Sequence, residues 1–349
     1  LKQAEEIIST VLVEAASDFG EEIAPLTETR CIAVPVARHG ERLDKAVLDV
    51  ASEFSRSYLQ QLIEEGLVAL NGLVTTKVAT KVKAGDQLCI ELRETPQSQA
   101  FKPEPIALDV VYEDADLVVI NKPAGLVVHP APGHWSGTLL NGLLAYHPDF
   151  LAVPRAGIVH RLDKDTSGLM VVARNRFSME ALVKGIAQRA VSRQYLALAQ
   201  GTWSNQPLVT SEAPIGRDPR NRLRMAAVDL AQHAGKAAKT DFVRLGQAPG
   251  HCLLRCILHT GRTHQIRVHL SSLGHPLVAD ATYGGAAGLG MVRQALHAVQ
   301  LGFAHPRTGL PLIFQAELPQ DLRNALDQLG LRYNDSVSTL TLAPSSGAP

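Results

Sequence analysis

No stretch of this chain approaches the roughly 18 consecutive apolar residues that a membrane-spanning helix needs, so no span is expected. The first residues also lack a basic stretch followed by an apolar core and a small-residue cleavage site, so secretion is not expected. Cysteine is scarce: only Cys31, Cys89, Cys252 and Cys256 occur. They form no close metal-ligand pair and are too few for a disulfide framework, so reduced thiols in a cytoplasmic protein are the expectation. Net charge is missing as well. Lys and Arg total 34, as do Asp and Glu, which argues weakly against a chain built wholly around nucleic acid.

What is present changes that view. With 349 residues, 46% of them hydrophobic, the chain can bury a large core and carry a second, smaller domain. Its charge is uneven. Residues 1–30 hold seven acids and two bases, whereas residues 201–275 hold ten bases, four acids and six histidines. A locally positive face attracts phosphates even on a neutral protein. Ordinary surface charge would look the same from composition alone.

Residues 1–37 read as an N-terminal extension, with an amphipathic helix over Ala4–Phe19 ending before Pro25. Residues 38–92 read as a compact domain. A helix is predicted from Arg42 to Phe54, and a second follows an N-cap at Ser55 and stops at Gly66. Strands are predicted at Val68–Leu70 and Gln87–Leu92, with a tight turn at Asn71-Gly72. Residues 93–105, with Pro96, Pro103 and Pro105, form a linker. Residues 106–330 form the large domain, and the Ser/Thr/Pro-rich segment 331–349 is expected to be disordered. In the large domain, short Val/Ile/Leu strands are predicted at Leu117–Ile120, Leu169–Val172, Tyr195–Ala199, Leu253–Leu258 and Leu312–Ala316. Helices are predicted at Leu139–Ala145, Met179–Lys184, Thr263–Leu273 and Arg293–Gln300. That order fits an α+β fold, with a mixed or antiparallel sheet and helices on its faces.

Two segments concentrate chemistry. The first is His160-Arg161-Leu162-Asp163-Lys164-Asp165-Thr166-Ser167-Gly168, a charged loop between apolar strands, the kind of place where reactive groups are presented. Asp163 and Asp165 also suit plain turn bonding. The second is Thr260-Gly261-Arg262-Thr263-His264-Gln265-Ile266-Arg267-Val268-His269-Leu270, a turn entering a helix. A packed interior tolerates such cations only opposite carboxylates or phosphates, which makes Arg267 a candidate partner for a buried acid. A solvated basic helix is the plainer alternative. Tyr195, entering a strand, fits either packing or base stacking.

Taken in order, these segments resemble the RluA family of pseudouridine synthases. HRLDKDTSG at 160–168 is similar to the family's signature, TGRTHQIRVHL at 260–270 to a second block, and VVINKPAGLVVHPAPG at 118–133 to the opening block. SRQYLAL at 192–198 and LHA at 296–298 also match, and residues 40–92 resemble an S4 RNA-binding domain. The attached S4-like module points to the RluD-type branch. The resemblance implies uridine-to-pseudouridine isomerisation without cofactor or metal in large-subunit ribosomal RNA, free or in a pre-ribosomal particle, with the helix 69 stem-loop as a candidate. It implies a mixed, mostly antiparallel sheet with a catalytic cleft along it, and a cytoplasmic monomer with Asp163 as nucleophile, Tyr195 stacking on the base and Arg267 pairing with Asp163. His160, Arg161, Arg262, His264 and, in the S4-like module, Arg56 are the implied RNA-binding residues. That module departs from the pattern at Leu73, where a base is common, and residues 42–92 hold six bases against seven acids. A positioning contact with RNA therefore fits it as well as a strong one.

The chemistry agrees with these roles. The base must leave C1′, rotate and rejoin through C5, so the nucleotide has to be extruded from its stack. A carboxylate nucleophile must be ionised, and a neighbouring cation favours that form. Attack at C1′, attack at C6 and assistance to a glycal route all remain open. The competing functions are a non-catalytic RNA-binding or ribosome-assembly factor and, more remotely, a metal-dependent hydrolase using His160 with the two acids.

Overall fold

The computed structural model describes residues 28–333, apart from 53, 55, 93–99, 132–133, 204–205 and 222. The helix expected at 4–19, the Ser55 cap, most of the proline-containing linker and most of the tail lie outside the described residues. The chain divides into two compact units, residues 1–96 and 97–349.

In the first unit, strands β1 (Glu28–Ala33), β2 (Val68–Leu70), β3 (Leu73–Val74) and β4 (Gln87–Leu92) make an antiparallel sheet in the order β1-β4-β2-β3. Helices α1 (Leu43–Ala46) and α2 (Arg56–Glu64) pack on it through Leu43, Val47, Leu59, Leu62 and Ile63, against Val68, Leu88 and Ile90. Asn71 and Gly72 both have positive φ, 51° and 80°, as a two-residue hairpin turn requires. Two expectations are corrected. The single helix expected at 42–54 is a four-residue α1 tightening into a 3-10 turn at Val47–Asp49. β1 belongs to the sheet rather than to the extension assigned to 1–37, because its register brings Cys31 directly opposite Cys89. Those two cysteines form a disulfide with Cα atoms 4.1 Å apart, which replaces the expected free thiols; Cys252 and Cys256 are free and buried.

The second unit is built on a sheet of nine strands. They are β5 (Val110–Glu113), β6 (Leu117–Lys122), β7 (Ser167–Ala173), β8 (Ser192–Gln200), β9 (Leu208–Ser211), β13 (Thr240–Ala248), β14 (His251–Leu258), β15 (Leu296–Ala304) and β16 (Pro311–Gln315). The order is β5-β6-β7-β15-β8-β14-β13-β9, and β16 pairs with the far end of β15. Among the described residues only β7 and β15 run parallel. Three short strands, β10 (Ile215–Arg217), β11 (Met225–Ala227) and β12 (Gly235–Lys236), form a separate sheet. Helices α3 (Leu139–Tyr146), α4 (Arg176–Ala187), α5 (Gln265–Ser272) and α6 (Gln320–Gln328) complete the unit. This is the expected mixed, mostly antiparallel α+β architecture.

Both faces of the central sheet are covered. Along β8, Tyr195, Ala197 and Ala199 join one apolar cluster while Leu196 and Leu198 join another, the period-2 alternation of a strand between two layers. The same double burial explains why residues 293–300, expected to be helical, include the start of β15. Its segment LHAVQLGFA is apolar nearly throughout, and a short continuous apolar run does not reveal its period.

Register then brings the site together. Gly168 in β7 and Tyr195 in β8 both lie beside Ala298 of β15. The loop that ends at Gly168 is thereby fixed two strands from Tyr195. The approach needs glycine: φ is +114°, and a Cβ at Gly168 would lie 2.2 Å from the Ala298 carbonyl oxygen. Gly168→Ala is expected to destabilise the protein by about 3 kcal/mol or more, since backbone rather than a flexible side chain must move. The midpoint of urea unfolding checks this; an unchanged midpoint would show that β7 and β15 can separate freely.

Candidate active site

A cleft of about 710 Å³ is lined by the 158–163 loop, by Tyr195 and by residues 258–267. Among the described residues six arginines border it, Arg155, Arg161, Arg189, Arg193, Arg262 and Arg267, and Asp163 is its only carboxylate. One acid among six guanidinium groups makes a field that draws in a phosphate chain. Four of the six arginines come from outside residues 201–275, so the basic face is assembled by folding rather than by the segment that is basic in sequence.

Asp163 precedes β7 in a turn closed by the Thr166 amide, which donates to the Asp163 carbonyl at 3.1 Å. The loop is gripped from behind. Lys122 Nζ donates to the Lys164 carbonyl at 2.9 Å and also to the carbonyls of Pro123 and Leu126. Arg293 Nη1 donates to the Asp165 carbonyl at 3.0 Å, and Ser167 Oγ lies 2.9 Å from His297 Nδ1. Burial pushes the Lys122 ammonium down to about 8, with the charges of Asp165 and Asp163 opposing that shift. Asp165 is not part of the cleft lining.

The second segment is held just as firmly. Gln265 opens α5 and is fully used: Oε1 accepts from Thr260 Oγ1 and the Arg262 amide, and Nε2 donates to the Lys239 carbonyl and Thr240 Oγ1. His269 Nδ1 and Nε2 each lie 2.9 Å from an oxygen, Thr240 Oγ1 and the Ala213 carbonyl. These polar residues are therefore latches that fix the helix start. α5 begins at Gln265, not Thr263, because His264 takes a left-handed conformation with φ 57°.

That geometry carries Arg267, 104 residues away in sequence, to within 3.2 Å of Asp163, through Nη1 and Oδ2. On its other edge, Arg267 Nε and Nη2 donate to Asp280 at 2.7 and 2.8 Å. Burial alone would disfavour the Arg267 charge, but the bonds and charge of Asp280, with Asp163 adding to them, more than offset it and raise its pKa. His264 Nε2 lies 3.9 Å from Asp163 Oδ1, and its Nδ1 lies 2.8 Å from the Tyr283 hydroxyl. Burial lowers the His264 pKa, with the charges of Asp163 and Asp280 opposing that shift.

The other expected residues are placed as follows. Tyr195 lines the cleft but is only 6% exposed, and burial raises its hydroxyl to about 12. Arg161 is exposed at the cleft, and Arg262 is anchored there by Nε on the Ala237 carbonyl at 3.0 Å. His160 reaches the cleft wall, but its Nε2 accepts from the Val171 amide at 3.1 Å, and burial holds it down to about 3. A neutral ring bonded to β7 offers no charge to phosphate and supports the fold of the loop. Arg56 lies in the first unit, donating to buried Asp44 at 2.5 Å. Asp280, Tyr283, Arg155, Arg189 and His129 were not anticipated; they sit in turns, a bend and a short 3-10 segment without periodicity, where spacing leaves no signal of what they face. The described residues that converge closely enough to hold a cation are Asp114, Asp116 and His305, none of which lines the cleft. Arg307 already binds both oxygens of Asp116, at 2.7 and 2.6 Å.

A family model described as RNA pseudouridylate synthase matches residues 116–272, and one described as S4 domain matches residues 41–88. The chain is 45% identical over 328 residues to the ribosomal large subunit pseudouridine synthase D of Neisseria meningitidis serogroup B, covering 90% of this chain and 85% of that protein. It is 44% identical over 292 residues to the uncharacterized RNA pseudouridine synthase YlyB of Bacillus subtilis, covering 83% and 94%. Among solved structures, the human RNA pseudouridylate synthase domain containing 1 matches with a TM-score of 0.50 and 30% identity, over 65% of this chain and 96% of that one.

Proposed function

This chain belongs to the RluA family of RNA pseudouridine synthases and isomerises uridine in RNA, and we propose that its substrate is large-subunit ribosomal RNA and its nucleophile Asp163. The observation that carries the nucleophile is the lone carboxylate of an arginine-bordered cleft, paired end-on with a buried guanidinium. The substrate rests on the relatives, several of which bear the name ribosomal large subunit pseudouridine synthase D. Pseudouridine formation breaks the bond from C1′ to N1 and makes one from C1′ to C5; the C5 proton leaves and N1 gains one. Nothing is oxidised or reduced, so binding, orientation and one activated group suffice.

In this reading an extruded uridine enters the cleft. Asp163 meets it in the cleft, and Arg267 holds the carboxylate in place. The exposed part of Tyr195 lies against the base, and Arg161 and Arg262 hold the flanking phosphates. The S4-type unit contributes RNA positioning, with Lys77, Lys81 and Lys83 exposed on it. Among the described residues no helix is long and apolar enough to cross a membrane. The proposed ribosomal RNA substrate would put the protein in the cytoplasm, where ribosomes are made.

Pseudouridine mapping of large-subunit RNA from cells with and without the gene tests the substrate. One or a few pseudouridines are expected to vanish in its absence and to return with the wild-type gene. An unchanged map with defective subunit assembly would instead support a binding factor.

A further inference from the structure

We infer that the turn at residues 277–285 is the platform that aims the nucleophile, with Asp280 and Tyr283 as positioning residues acting through Arg267 and His264. This rests on the proposed role of Asp163. Neither Asp280 nor Tyr283 lines the cleft, so their influence on the reaction has to pass through other side chains.

Arg267 faces two carboxylates unequally. Asp280, 1% exposed, takes the Nε and Nη2 edge in a two-bond fork. Asp163 receives one bond, from Nη1, at the longer distance of 3.2 Å. A guanidinium is planar and rigid, so a fork on one edge sets the direction of the remaining nitrogen. The consequence for Asp163 is specific. It is steered by one contact while its other lone pairs stay available to substrate. If Asp280 did not occupy that edge, the guanidinium would be free to chelate Asp163 and mask the group that must react.

Tyr283 supports the same plane from below. Its ring lies under the Arg267 guanidinium, 5.0 Å from centroid to Cζ. Its hydroxyl accepts from the Met225 amide at 3.1 Å, so its own hydrogen is available to His264 Nδ1 at 2.8 Å. That network assigns the remaining imidazole hydrogen to Nε2, which faces Asp163 Oδ1 at 3.9 Å. Both oxygens of Asp163 are thus addressed by groups whose direction is set from one turn.

The turn is built to hold still. Ala279 is left-handed, with φ 59°. The amides of Asp280 and Gly285 donate to the carbonyls of Leu277 and Asp280, at 3.2 and 2.9 Å. A Cβ at Gly285 would lie 1.8 Å from the Leu277 carbonyl oxygen, so only glycine closes it. Val278 ties it to the sheet, donating to the Leu198 carbonyl and accepting from the Ala295 amide, both at 3.0 Å.

The test uses the full chain and an in vitro transcript of large-subunit ribosomal RNA carrying 5-tritiated uridine. Tritium release is followed in a single turnover at saturating enzyme, alongside RNA affinity and the urea midpoint. Asp280→Asn is expected to slow release about 100-fold per folded molecule, a typical consequence of misplacing a reacting group, with affinity unchanged. Tyr283→Phe, which keeps the ring, is expected to slow it several-fold. In an Arg267→Met background, Asp280→Asn should cause no further slowing and should raise the urea midpoint, because Asp280 there has lost its cation. Equal slowing by Asp280→Asn in both backgrounds, or wild-type rates per folded molecule in both D280N and Y283F, would overturn the inference. Release by Asp163→Asn at the wild-type rate would overturn the proposed nucleophile and this inference together.

Discussion

Arg267→Met is expected to lower the saturated single-turnover rate about 100- to 1,000-fold, the usual loss when a fixed charged donor at the reacting centre is removed. RNA affinity and its salt dependence should stay near wild type. The reason is position. Arg267 is 7% exposed, its donors are committed to Asp280 and Asp163, and it has little surface left for phosphate. Stability should fall as well, by about 3–5 kcal/mol, because Asp280 is left buried without its cation. Rates must therefore be expressed per folded molecule. Arg262→Met should behave in the opposite sense. Its Nε is spent on the Ala237 carbonyl while the guanidinium remains exposed at the cleft. Losing it should weaken RNA binding and reduce the slope of log affinity against log salt by about one, as for one phosphate contact. Its saturated rate should hold. Binding and single-turnover rates across a salt series separate the two variants. Loss of salt slope in R267M with an intact saturated rate would make Arg267 a phosphate contact.

The legibility of this site in sequence follows from physics. The 160–168 and 260–270 segments stood out because so many polar and charged residues flank strongly apolar runs, and folding brings them to 3.2 Å. Strands such as Leu117–Lys122 announced themselves by β-branched and apolar content, whereas β15, LHAVQLGFA, has one β-branched residue among Leu, Ala and Gln, which favour helix. β1 was missed because it is a largely exposed edge strand with no apolar alternation to betray it. The Cys31–Cys89 bond depended on that strand and was lost with it. His160, which the resemblance implies as an RNA-binding residue, accepts from the Val171 amide through Nε2, a bond only the fold reveals. Asp280 and Tyr283 sit in an ordinary-looking turn, Val278-Ala279-Asp280-Ala281-Thr282-Tyr283-Gly284, and only the fold shows what they face.

Asp163 and Asp165 are two residues apart and differ in what surrounds them. Asp163 lines the cleft beside Arg267 and His264. Asp165 is outside the cleft lining and is held through its backbone carbonyl by Arg293, a bond that a side-chain change does not touch. Asn at position 163 keeps the size and can still accept from Arg267 Nη1, so the fold and RNA binding should survive while the nucleophile is lost. The most direct measurement is tritium release from 5-tritiated uridine RNA by wild type, Asp163→Asn and Asp165→Asn. Release by D163N should fall by at least about 10,000-fold, as for removal of a nucleophile, with D165N within a few-fold of wild type. Wild-type release by a folded, RNA-binding D163N would contradict the account.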